Sequence, residues 1–255
     1  MSWRGPYTLF RKEVLRFKAV ALQTVVAPVI TALLYLIVFA QMLSRGAQIQ
    51  PGVDNLAFLV PGLAMMSLLQ NAFSNSSSSL MQSKLNGNLV FVLLSPLSPF
   101  EIFAGFTAAA AVRGLVIGGG IVAGAALFVH LPLHDPAVVV VVAFAVLGGA
   151  LLGALGLIAA LWATRFEELA GFQNFVVVPL SFLSGVFYRV DALPEPWRTI
   201  SLINPCFYLV DGFRRGFFGG SAVPPGRSLA LALAALLVTS TVAVALLAKG
   251  YKIRT

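Results

Sequence analysis

The chain has 255 residues, of which 59% are hydrophobic and 10% charged, with a formal net charge of +8. Soluble domains carry roughly 25% charged residues, so a water-soluble globular enzyme is excluded and a polytopic membrane protein is indicated. The single cysteine, Cys206, excludes an internal disulfide, so any outer loops are ordered by other means.

Residues 6–18 read as a basic amphipathic helix lying on the membrane. Pro6 suits a first helical turn, and Tyr7, Phe10, Val14 and Phe17 recur at the three-four spacing of one buried face, with Arg11, Lys12 and Arg16 off that stripe. Glu13 and Arg16 are spaced to pair. Such a helix serves either as a topogenic anchor or as an elbow passing force to the first span.

Apolar runs long enough to cross a bilayer, about 17–25 residues each, fall at 19–42, 56–74, 102–129, 137–163, 169–188 and 228–248. In hydrocarbon the backbone must bond internally, so these six are expected to be helices. The alternating short strands of a membrane barrel are absent. Basic residues dominate both tails (Arg4, Arg11, Lys12, Arg16 and Lys18; Lys249, Lys252 and Arg254), which places both termini in the cytoplasm. Five arginines in the outer segment 189–227 run against that bias, offset in part by Asp191, Glu195 and Asp211. The positive charge is spread over loops, which fits topology and attraction to anionic lipid better than nucleic-acid binding.

Between the second and third spans lies the longest polar interruption of the first half, NSSSSLMQSKLNGNLVFVLLSPLSPF at 75–100. It is expected as a structured cytoplasmic loop, its serine run 76–79 a solvated helix end. Arg113 sits well inside the third run. It reads as an intramembrane functional group or, alternatively, as an interfacial arginine that snorkels, the true crossing starting near Gly114. Glycines four apart (Gly114 and Gly118, Gly120 and Gly124, Gly149 and Gly153) signal close helix packing. Residues 199–210 are apolar, too short to cross and broken by Asn204-Pro205. One or two short helices dipping in from the outer face are expected over 192–218.

Catalytic chemistry is missing from the pattern. There is no G-x-x-x-x-G-K-[ST] phosphate loop. His130 and His134 are four apart but have only Asp135 near them, too little for a metal site. No acidic residue lies in the middle of an apolar run, where a proton- or sodium-coupled carrier needs one.

The stretch LVPGLAMMSLLQNAFSNSSSSLMQSKLNGNLVFVLLSPLSPFEIF, followed by AAAAVRG, resembles the permease subunits of type-2 ABC exporters. So does FLSGVFYRVDALPEPWRTISLINPCFYLVDGFRRGFFG near the C-terminus. The resemblance implies a bacterial inner-membrane permease acting as two copies, with ATP and Mg bound by a separate ATPase subunit. It puts the coupling helix at 82–91, with Lys84, Leu85, Asn86, Gly87 and Phe91 toward the ATPase, and the connecting helix on Tyr7, Phe10, Arg11, Glu13 and Arg16. It puts the pathway along the second and fifth spans, where Gln70-Asn71 and Gln173-Asn174 stand with Phe73, Phe172 and Phe175. Uncharged amides and aromatics there suit an amphiphile or a glycan–lipid conjugate, although buried amides also join helices. The competing reading is a passive channel or assembly scaffold with no nucleotide dependence.

Overall fold

The computed structural model describes residues 4–43, 49–50, 52–132 and 135–251. His134, the tail cations Lys252 and Arg254, and residues 44–48 and 51 of the loop 43–55 lie outside them. Every described element is helical. Five helices are long and apolar enough to cross a membrane: Leu22–Met42, Asn55–Leu85, Pro99–Ala125, Val138–Trp162 and Pro225–Ala248.

Helix α1 spans Arg4–Ala19 and leads through a π-helical segment, Leu22–Val26, into α2, Ala27–Leu43. Helix α3, Asn55–Leu85, is the axis of the molecule, and its window of highest hydropathy is 78% buried. Asp54 starts it by accepting from the Leu56 and Ala57 amides, which satisfies two of the donors a helix N-terminus leaves open. At 1.5 Å per residue it is about 46 Å long, against the roughly 30 Å that hydrocarbon requires. The surplus is the serine run, which therefore belongs to a helix and not to a loop. Asn75, Ser76, Ser77 and Ser79 are buried, contrary to the expected solvated end.

The reason is packing. Helices α4 (Leu89–Leu94), α5 (Pro99–Ala125) and α6 (Asp135–Trp162) follow, and α5 and α6 lie along α3. A Cβ on Gly156 of α6 would stand 2.5 Å from the Phe73 carbonyl oxygen and 3.2 Å from Ser76 Cβ. Small side chains on both helices are what allows backbones this close. The expected glycine pairs each face a different neighbour: Gly114 and Gly118 face Leu68, Gly120 and Gly124 face α2, and Gly149 and Gly153 face α5. Helix α5 ends at Ala125, short of the expected 129. A capping box at Ser98 and Glu101, with Pro99 in the first turn, fixes its start.

The fifth expected span, 169–188, is not one regular helix. It comprises α7 (Phe166–Phe172), a π-helical segment (Gln173–Val177) and α8 (Val178–Phe182). Residues 183–189 then turn, with Gly185 at φ 75°. Freed carbonyls at membrane depth must find donors inside the protein, and here Arg214 donates to Gly185 O at 3.0 Å and Val186 O at 3.1 Å. That arginine belongs to α10 (Pro205–Phe218), which follows α9 (Trp197–Ile203) and precedes α11 (Pro225–Ala248). The outer segment thus contains two short helices, joined at Asn204, whose side chain caps α10 through the Cys206 amide and donates to Leu180 O. Burial pushes the Cys206 thiol up to about 12.

Candidate functional site: the C-terminal end of the central helix

Two features meet where α3 ends. The first is a projecting apolar knob. After Leu85 the chain turns through Asn86, Gly87 and Asn88, with Gly87 at φ 73° and open space around it. That left-handed conformation is one only glycine adopts at no steric cost. The short helix that follows is α4, Leu89–Leu94, so the helix of this loop lies C-terminal to the expected 82–91. Leu89 is buried and anchors it, while Leu85, Val90, Phe91 and Leu94 are 54%, 52%, 73% and 77% exposed. Exposed apolar groups this closely grouped mark an interaction surface. Lys84 faces the other way. Its Nζ donates to Ala163 O at 2.9 Å and to Leu161 O at 3.5 Å, closing the C-terminal end of α6, where a cation is favoured.

Beside the knob, between α1 and α4, runs a groove of about 1030 Å³. Gly5, Leu9 and Lys12 form one wall, and Asn88, Phe91 and Val92 the other. The knob and the N-terminal helix therefore present a joint surface.

The second feature is a polar seam under α1. The buried stripe of α1 is Leu9, Glu13 and Phe17, four residues apart. This corrects the expected face in part: Tyr7 is 63% exposed and Phe10 is half-buried, whereas Phe17 is buried and Arg11 exposed, as the spacing predicts. Glu13 has no solvent exposure; it accepts from the Ser79 hydroxyl of α3 and pairs with Arg16 and Lys12 at 3.3 Å each. Arg16, expected off the buried stripe, reaches α3 and donates to Asn75 O at 3.0 Å and Asn75 Oδ1 at 3.2 Å. Arg113 of α5 donates to Asn75 Oδ1 at 3.4 Å and Asn71 Oδ1 at 3.2 Å. Arg113 is therefore buried within the protein, 8% exposed. Asn75 and Ser79 were not singled out from the sequence. Their signal is the four-residue spacing Asn71, Asn75, Ser79, which places three polar groups on one helix face.

The expected pathway residues divide. Phe73 is fully buried and stacks on Phe172 (centroids 5.6 Å, planes 8° apart), so it is core. Asn71 bonds Arg113 and Ser67 O, and Gln173 accepts from Ser74 at 3.0 Å; both join helices. Gln70 is half-buried, Asn174 is exposed and Phe175 is 83% exposed. Asn174 and Phe175 stand on the π-helical segment, an irregularity frequent at functional positions.

These features define a multi-helix membrane protein whose central helix ends in an exposed apolar knob. The ABC-2 type transporter family matches residues 7–218, and the chain belongs to it, as a permease component of a transporter. It is 35% identical over 224 residues to the inner membrane transport permease YadH of Escherichia coli K12, an alignment covering 88% of this chain and 87% of that protein. It is also 24% identical over 212 residues to nodulation protein J of Rhizobium leguminosarum bv. viciae, covering 83% and 81%. With nodulation protein J of Rhizobium meliloti the identity is 25% over 224 residues, covering 86% and 83%.

Proposed function

We propose that the chain is the membrane subunit of an ATP-driven exporter of the bacterial inner membrane, and that it moves an amphiphilic, lipid-linked or hydrophobic substrate outward by alternating access. It works with a second copy of itself and with an ABC ATPase that binds ATP and Mg. The observation that carries this reading is the exposed knob formed by Leu85, at the end of the buried central helix, and by Phe91 and Leu94 on the short helix that the Gly87 turn joins to it. A push on the knob is delivered to α3 itself, and α3 packs on α2, α5, α6 and α10. The polar seam ties α1 to α3 and α5, so the N-terminal helix moves with the bundle core. This is the elbow reading of α1, with its force going to the second and third crossings.

The broken helix Phe166–Phe182 with the turn after it supplies a sixth crossing, which leaves both termini in the cytoplasm on the basic side. Its Asn174 and Phe175, with Gln70 of α3, are offered to the pathway between the two copies.

The test uses the chain co-expressed with an ABC ATPase subunit from its own genome, selected by its Walker motif. Leu85→Asp places a charge in the docking surface, and Gly87→Pro forces φ from +73° to about −65°. Each variant is expected to insert normally and to lose ATPase capture and substrate-stimulated hydrolysis. Wild-type stimulation by both variants refutes the coupling role. Flux through the chain without nucleotide establishes the passive channel instead.

A further inference from the structure

The polar seam holds more positive charge than it neutralises. Arg16 Nη2 and Arg113 Nη1 lie 3.2 and 3.4 Å from the same oxygen, Asn75 Oδ1, so these nitrogens are no more than about 6.6 Å apart. Lys12, Arg16 and Arg113 face a single carboxylate, Glu13, which is already engaged by Lys12, Arg16 and the Ser79 hydroxyl. The partners of Arg113 are two neutral amide oxygens. Its Nε and the Nδ2 of Asn75 are buried donors without an acceptor. These two nitrogens lack an acceptor, and the seam holds three cations to one carboxylate, whose Oε1 meets only Lys12. A buried guanidinium without a counter-charge is costly. The edge of the node is open: the Arg16 side chain is 28% exposed and Asn71 is half-buried.

We propose that this node is an anion site, in which Arg113, Arg16 and the Asn75 amide hold one phosphate-class oxyanion. Its source is the headgroup of an anionic phospholipid of the cytoplasmic leaflet, or free phosphate. Planar guanidinium forks match phosphate oxygens two at a time. The lipid source follows from α1 lying at the membrane interface, where phosphate headgroups sit. The site is independent of the ATPase and of the exported substrate.

The test is thermal unfolding of the purified full-length chain in nanodiscs of phosphatidylcholine alone and of phosphatidylcholine with phosphatidylglycerol. The wild type is expected to gain about 3 °C or more from the anionic lipid, as a ligand of the native state does. Arg113→Gln is expected to match or exceed the wild type in phosphatidylcholine and to lose the gain, whereas Arg113→Lys keeps part of it. Inorganic phosphate titrated into the phosphatidylcholine discs separates the sources: an equal gain assigns the site to the free ion, and no gain assigns it to the lipid. An equal phosphatidylglycerol gain in wild type and Arg113→Gln overturns the proposal, because the lipid then acts on surface cations. A loss of the same size in both discs also overturns it, because the guanidinium is then only a structural fastener. Native mass spectrometry of the wild type supplies an arm that needs no variant. An anionic phospholipid retained after detergent extraction supports the site, and a lipid-free chain with the same Tm in both discs contradicts it.

Discussion

Arg113 and Arg214 are each 8% exposed, and each has a buried Nε without an acceptor, but their surroundings differ. Arg214 lies at the Gly185–Val186 turn. It donates to the Gly185 and Val186 carbonyls, lies 3.9 Å over the Phe58 ring and shares its helix with Asp211, whose charge favours the guanidinium. Burial still lowers it to about 10, so it stays charged at neutral pH. Asp211 accepts in turn from the Ala222 and Val223 amides; burial raises its carboxyl, and those bonds and Arg214 oppose the rise. Arg113 lies toward the C-terminal half of α3, meets two neutral amides and shares one of them with a second guanidinium. The same residue type is thus a fastener at one end of the bundle and a charge lacking its partner at the other. What distinguishes them is the count of opposite charges and backbone acceptors, not depth of burial.

The largest expected effect follows from the fastener. Arg214→Ala removes the donors of two turn carbonyls and the cation over Phe58, and should cost about 3–5 kcal/mol. Denaturant unfolding in detergent would read it, and Arg214→Lys should not restore stability because a point charge cannot reproduce the fork. A nearly neutral Arg214→Ala beside a damaging Arg113→Gln would reverse the contrast. Next comes the closeness of α3 and α6. Gly156→Val puts its Cβ against the Phe73 carbonyl oxygen and should cost about 1–3 kcal/mol or more, read as a lower Tm in any lipid. Ser79→Ala should cost about 1–3 kcal/mol by stranding part of the buried Glu13 carboxylate. It should also loosen α1, read as faster hydrogen exchange or proteolysis there. The smallest effect concerns Cys206. With its thiol pushed up to about 12 and 2% exposed, it should not react with maleimide at neutral pH until the protein is unfolded.

Much of this architecture was legible in the sequence. Hydropathy located the long helices, the glycine pairs marked close contacts, and the absence of a phosphate loop together with the two long motifs pointed to a permease. The serine run was misread because polarity was taken as exposure. Small hydroxyl side chains can bond to a preceding carbonyl of their own helix, as Ser77 and Ser78 do, and so pack against glycine on a neighbour. The buried face of α1 was misread because aromatic spacing was weighed and Glu13 was read only as a partner for Arg16. Glu13 is inside because Ser79, Lys12 and Arg16 surround it, and only the fold brings Ser79 there. The broken fifth span left a faint trace in Pro179 and Gly185; its repair depends on Arg214, about thirty residues on in the chain.

The central claim is that the knob after α3 couples the bundle to an ATPase. Its most direct test is gentle purification of the tagged chain from its native membrane, with mass spectrometry and an ATPase assay on wild type and on Phe91→Asp. An ATPase that comes down with the wild type at about one per permease, hydrolyses ATP in the complex and is lost from Phe91→Asp is the predicted result. A wild-type chain that emerges alone, or a variant that retains full ATPase capture and hydrolysis, would contradict it.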